Sequence, residues 1–166
     1  MKAQKSIFLF ILAIVAIIWT ASAKEITPNA KIKTAFEKKF SNTRNVVWEK
    51  GTDGDFLASF DTEDGEVEAA FAKDGSWLYT KTEIWHETLP EVIQEYLEEE
   101  YADAMIMSTM TYEDPATTLE YILTLSIEEE LEVEEEDWEQ EVPEPTYLKL
   151  TFDEQGEFLS EETIDS

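Results

Sequence analysis

Apolar positions along the chain follow two periods, and their alternation outlines the fold before any composition is counted. Ile32, Ala35, Phe36, Lys39 and Phe40 recur at i, i+3, i+4 spacing behind Thr27-Pro28, a cap and a first-turn proline, so residues 28–40 are predicted to form an amphipathic helix. Short β-favouring runs follow: Val46-Val47-Trp48, then Phe56, Ala58 and Phe60, then Val67, Ala69 and Phe71, then Trp77 to Ile84. Asp53-Gly54, Asp64-Gly65 and Asp74-Gly75 separate them, and Asp-Gly between such runs signals a hairpin because glycine takes positive φ at little cost. This half reads as a helix followed by a four-stranded meander.

The second half has the same order. Thr88-Leu89-Pro90-Glu91 combines a capping box with proline at the first helical position, and Leu89, Val92, Ile93, Tyr96, Leu97 and Tyr101 mark one helical face. Met105–Tyr112, Leu119–Ile127, Tyr147–Phe152 and Phe158–Ile164 are predicted strands. Leu119, Tyr121, Leu123, Leu125 and Ile127 alternate, as a half-buried antiparallel strand requires.

The halves are in register with each other. Phe36 and Phe40 match Leu97 and Tyr101 at a spacing of 61, whereas Phe71, Gly75, Trp77 and Leu78 match Phe152, Gly156, Phe158 and Leu159 at 81. The difference of 20 falls opposite the short turn at Thr62–Gly65 and marks an insertion at about residues 128–146. The predicted fold is therefore α+β: two tandem αββββ repeats (about 28–85 and 88–164) sharing one antiparallel curved sheet with both helices on one face, since one helix over four short strands buries little.

Ahead of the first repeat, Lys2 and Lys5 precede an apolar run from Ile7 to Trp19 that ends in Ala21-Ser22-Ala23. That is the pattern of a signal peptide cleaved after residue 23, and the run is short of the roughly 20 apolar residues a membrane span needs. Residues 24–166 then form one domain in a periplasmic or secreted protein.

Charge narrows the functions open to such a domain. Against 12 Lys+Arg stand 39 Asp+Glu, a formal −27 that becomes −29 once Lys2 and Lys5 are removed. A polyanion of this strength repels phosphate backbones and anionic headgroups, so no nucleic acid and, after signal cleavage, no membrane is expected as partner. Zero cysteines exclude disulfides, thiolate metal sites and a cysteine nucleophile. His86 is the sole imidazole and sits between elements, and no G-x-S-x-G, Walker A or G-x-G-x-x-G occurs, so no enzyme and no cofactor is expected. Asp61 to Glu66 lacks the calcium-loop register, having Gly at the fifth position and Ala72 at the twelfth, and reads as a turn.

The charge is also uneven. Residues 24–50 carry Lys24, Lys31, Lys33, Lys38, Lys39, Arg44 and Lys50 against three glutamates, so this first element is basic and is expected to dock on the acidic remainder. Ten of the fourteen residues from Glu128 to Glu141 are acidic. Three readings of this insertion stand: a solvated extension, a docking surface for a basic envelope protein or peptide, or a site of weak divalent-cation binding. In the second, Glu134, Glu135, Glu136 and Asp137 steer the partner and Trp138 anchors it.

Aromatic residues on predicted strands give a second candidate surface. Trp48, Trp77, Tyr79 and Trp85 are core residues by default, but a sheet with helices on one side can leave its other face open. Strict alternation puts Trp77, Tyr79 and Lys81 together on that face and turns Leu78 and Ile84 toward the helices.

Phe40-Ser41-Asn42-Thr43-Arg44-Asn45-Val46-Val47-Trp48-Glu49 and Phe71-Ala72-Lys73-Asp74-Gly75-Ser76-Trp77-Leu78-Tyr79-Thr80, followed by Leu89-Pro90, resemble the β-lactamase-inhibitor-like, PepSY-like family of exported bacterial proteins. The resemblance spans roughly Ile32 to Ile164, and departs from the family in Ser41 and Ala102, where a proline commonly follows the helix, and in the acidic insertion. It implies a tandem repeat with one curved sheet, an envelope location in Gram-negative bacteria and no catalytic motif. Recognition or inhibition of a protein partner, including a β-lactamase, is what the family label suggests. The function expected is that of an exported, non-enzymatic binding protein, with a cation-binding or solubilising acidic envelope protein as the alternative.

Overall fold

A computed structural model describes residues 26–51, 53–63, 65–116, 119–128 and 144–164. Among these, helix α1 (Ala30–Lys39) precedes strands β1 (Arg44–Lys50), β2 (Phe56–Asp61), β3 (Glu66–Phe71) and β4 (Trp77–Glu83). A 3-10 turn (His86–Thr88) leads to helix α2 (Glu91–Glu100), followed by β5 (Met105–Glu113), β6 (Glu120–Ile127), β7 (Thr146–Asp153) and β8 (Phe158–Ile164). The fold is α+β, and the strands form one eight-stranded antiparallel sheet in sequence order, β1 to β8.

Both helices start differently from the sequence expectation. Asn29, not Thr27-Pro28, caps α1: its side-chain oxygen accepts from the Lys31 and Ile32 N–H groups at 2.9 and 3.2 Å. Lys38 and Lys39 lie in the last turn, where cations complement the exposed carbonyls. At α2 the expected capping box does not form. Thr88 closes the 3-10 turn instead, donating its hydroxyl to the Trp85 carbonyl at 2.7 Å, and Pro90 occupies the cap position without a side-chain bond. Gln94 donates its side-chain N–H to the Leu89 carbonyl at 2.8 Å, which ties the first turn of α2 to the segment before it.

Two apolar cores hold these elements. Ile32 and Phe36 of α1 pack with Trp48, Ala58, Phe60, Val67, Ala69 and Phe71. Leu89, Ile93 and Leu97 pack with Leu123, Leu125, Leu148, Leu150 and Phe152. Ile32, Phe71, Ile93 and Phe152 are fully buried, each worth about 1.5–3 kcal/mol of apolar transfer. Aromatic edges organise the first core: Phe36 meets Phe60 at 5.0 Å and 90°, and Trp48 at 5.3 Å and 69°.

Glycines in the β3–β4 and β7–β8 turns let each helix approach its hairpin. Gly75 has φ +90°, and a Cβ there would stand 3.2 Å from the Lys31 carbonyl. Gly156 has φ +84°, with Ile93 Cγ1 at 3.2 Å from the same position. Left-handed backbone and close contact together make a side chain costly at either site.

Candidate functional site

Ladder partners share a face of the sheet, so register decides which side chains can cooperate. Ala70 pairs with Tyr79 and Glu68 with Lys81 across β3–β4, and Lys81 pairs with Tyr112 across β4–β5. Tyr79, Lys81, Glu68 and Tyr112 therefore occupy one face, which is opposite to that of Ala69 and Val67 in the α1 core. Met110 and Ile122, a ladder pair on the same side, extend the patch toward β6.

These side chains form a connected set. The Tyr79 and Tyr112 rings stack with centroids 5.8 Å apart and planes 26° from parallel. Tyr79 donates its hydroxyl to Glu68 Oε1 at 3.0 Å, and Lys81 Nζ lies 3.7 Å from the same oxygen and 5.0 Å from the Tyr79 ring. Tyr112 donates to Asp114 at 3.3 Å. Burial and then the Glu68 charge push the Tyr79 phenol well above its ordinary pKa, and burial followed by Asp114 raises that of Tyr112. Both phenols are thus neutral hydrogen-bond donors at neutral pH, ordered by carboxylates and ringed by half-exposed charge. Lys81 and Glu68 side chains are 42% and 38% exposed, so their pairing leaves them reachable by a partner.

Trp77 does not join this face, contrary to strict alternation. A bulge between Ala70 and Phe71 makes Phe71 the ladder partner of Trp77, although Ala70 is the partner of Tyr79. One extra residue on β4 reverses the side to which preceding side chains point. Trp77 consequently packs on the α1 core, donates Nε1–H to the Thr80 hydroxyl at 3.0 Å and receives Lys39 Nζ over its ring at 3.4 Å. Leu78, expected to turn toward the helices, sits in the bulge and is exposed, whereas Ile84 does pack on the α2 core.

Glu134, Glu135, Glu136, Asp137 and Trp138 lie outside the described residues, as do residues 1–25 with the expected signal peptide. Lys39, from the basic first element, reaches Glu113 at 3.8 Å. His86 is exposed and contacts its neighbour Glu87 at 3.5 Å. Among the described residues, no three acidic or histidine side chains converge as a metal would need, and no helix is long and apolar enough to cross a membrane. A concavity of about 240 Å³ lies between α2 and the sheet, lined by Leu97, Tyr101, Ala104, Ile106 and Leu125. Glu98 also lines it, beside otherwise largely apolar walls, and the Tyr101 hydroxyl donates to Glu161.

Sequence reasoning put Tyr79 and Lys81 on one face but did not bring Tyr112 and Glu68 to them. Both carry the right residue types on alternating strands. Their meeting depends on the β4–β5 register, which is set across an intervening helix and has no local signature.

A family model described as "Putative beta-lactamase-inhibitor-like, PepSY-like" matches residues 56–160. No curated protein matches the sequence. Among solved structures, a BLIP-like protein from Bacteroides fragilis superposes with a TM-score of 0.68 at 22% identity, covering 85% of this chain and 89% of its own. A protein from Bacteroides ovatus described as DUF2874 gives 0.66 at 18% identity, with coverage of 83% and 89%. A structure from Bacteroides eggerthii described as "putative periplasmic proteins" gives 0.65 at 13% identity, with coverage of 84% and 91%. At these identities the likeness is one of fold.

Proposed function

The chain belongs to the β-lactamase-inhibitor-like, PepSY-like family, and from that premise we propose that it is an exported, non-enzymatic envelope protein that binds a protein partner on the sheet face carrying Tyr79 and Tyr112. The observation that carries this reading is the stacked tyrosine pair, tied to Glu68 and flanked by Lys81. Aromatic anchors ringed by half-exposed charge are the composition that dominates protein–protein interface energetics. The family description is inhibitor-like, which favours binding over catalysis.

Removal of residues 1–23 and release into the periplasm or medium belong to the same reading, supported by the sequence pattern at Ala21-Ser22-Ala23 and by the periplasmic description of one structural neighbour. Two observations support a tandem repeat. A helix followed by four strands occurs twice, and Gly75 touches Lys31 as Gly156 touches Val92 and Ile93, at the spacings of 61 and 81 found in the sequence. Ladder partners chain Ala69 to Thr80, Thr82 to Thr111, Thr109 to Leu123 and Leu123 to Leu150. This continuity supports both helices on one face, with the tyrosine face left free for a partner.

A photoreactive residue at position 81 should crosslink an envelope protein from the native host that the same residue at position 33, on α1, does not. The Tyr79→Ala/Tyr112→Ala variant should lose that adduct while keeping its fold. Equal labelling from both positions would remove the tyrosine face as the docking surface. Direct assay against β-lactamases tests whether that partner is one of them.

A further inference from the structure

The two edges of the sheet are not treated alike. On the β1 side, Ile26 donates its N–H to the Trp48 carbonyl at 2.9 Å and packs on the α1 core, so the chain before α1 lies along that edge. A bulge between Arg44 and Val47, with Asn45 at φ +53°, further breaks its regularity. These are devices that blunt an edge against strand addition. β8 has neither. All seven of its residues are exposed, and among the described residues no backbone group pairs with its outer side. Its pairing with β7 runs regularly from Tyr147–Ile164 to Thr151–Ser160, leaving a straight row of alternate N–H and C=O groups facing outward.

The side chains of this edge select what could pair with it. Phe158, Leu159 and Ile164 are 42%, 51% and 38% exposed, giving apolar contacts along the strand. Glu161 and Glu162 lie between them and point to opposite faces. Within the fold, the neighbour already opposite Glu162 is cationic: Lys149 is its ladder partner, with Nζ at 3.2 Å from the carboxylate. A second copy is disfavoured, because antiparallel pairing of β8 with itself about this centre sets these carboxylates against one another.

We propose that β8 is a strand-addition site for an extended segment of a partner protein that alternates apolar residues with lysine or arginine. Main-chain hydrogen bonds supply the affinity, and the Glu161 and Glu162 carboxylates supply the preference for cations. This surface is separate from the tyrosine face and does not require it.

The test uses the full mature chain and three synthetic seven-residue peptides: alternating Lys and Val, alternating Glu and Val, and a Lys peptide with proline in place of valine. The Lys–Val peptide should slow hydrogen exchange at residues 158–164 and leave residues 79–83 and 108–112 unchanged. The proline peptide, equal in charge but unable to complete the ladder, should give no such protection, nor should the Glu–Val peptide. Glu161→Gln/Glu162→Gln should weaken binding about fivefold, while Glu95→Gln/Glu99→Gln on α2 leaves it unchanged. Protection by the proline peptide, or protection located elsewhere, would mean general charge attraction and overturn the proposal. So would concentration-dependent protection of β8 without peptide, which would make a second copy the occupant.

Discussion

Trp77 and Tyr79 are two residues apart on one strand yet face opposite sides of the sheet, Trp77 against the α1 core and Tyr79 stacked on Tyr112. The bulge at Phe71 separates a structural aromatic from a candidate binding one. Trp77→Ala should therefore lower unfolding free energy by about 3 kcal/mol, the lower end for a large ring lost from a core it only partly enters. Tyr79→Ala should cost less stability and should abolish the crosslink expected at position 81. Urea unfolding of both variants beside the crosslinking assay separates the two roles.

Lys39 gives Trp77 a second tie, over its ring at 3.4 Å. Lys39→Gln should destabilise by about 0.5–1 kcal/mol, and the effect should survive high salt better than loss of the half-exposed Glu113 pairing by Glu113→Gln. Thermal melts at low and high ionic strength read the difference.

Gly75 is held at φ +90° against the Lys31 carbonyl. Gly75→Ala should cost at least about 1 kcal/mol, from left-handed strain plus the contact with α1. Gly156→Ala should do the same to the second core through Ile93. Denaturant midpoints for the two variants provide the check.

Folding raises the pKa of Tyr79 and of Tyr101, in both cases chiefly by burial, then through Glu68 and Glu161 respectively. A raised phenol pKa means the native state keeps a proton that the unfolded chain releases above about pH 10. The associated stability is complete below that pH and falls as pH rises through it. Phenolate absorbance should therefore show Tyr79 and Tyr101 titrating late, along with Tyr96 and Tyr112, whose phenols burial also raises, and Tyr79→Phe/Tyr101→Phe should flatten the alkaline loss of stability.

Ile127 and Thr146 are ladder partners, so the chain leaves and re-enters the sheet at adjacent points around the acidic insertion. Replacing residues 128–145 with a short Asp-Gly turn should leave the fold intact and raise stability by about 1 kcal/mol through a smaller loop-closure cost. Unchanged partner capture would show that Glu134, Glu135, Glu136, Asp137 and Trp138 are not the docking site. Calorimetry with Ca²⁺ should give no saturable single-site heat in the parent chain, because the sequence of the insertion lacks the ligand register of a dedicated calcium loop.

Element identity was legible in the sequence because it rests on local period. Phe36 and Ile93 announce their helices by 3.6-residue spacing, Leu123 and Leu125 their strand by alternation, and Asp74-Gly75 its turn by the φ that glycine permits. The resemblance at Phe71 to Thr80 reached the family for the same reason, since those residues carry both the core and the turn. Which residue caps α1, and which side Trp77 faces, were decided in three dimensions. Asn29 wins the cap because its side-chain oxygen reaches the Lys31 and Ile32 amides, and Trp77 turns inward because β4 accommodates one residue more than β3 at the bulge. Tyr112 joins Tyr79 only through pairing of β4 with β5 across the whole of α2. Periodicity fixes the faces a strand has, but register with its neighbours fixes which faces meet, and register is a property of the assembled sheet.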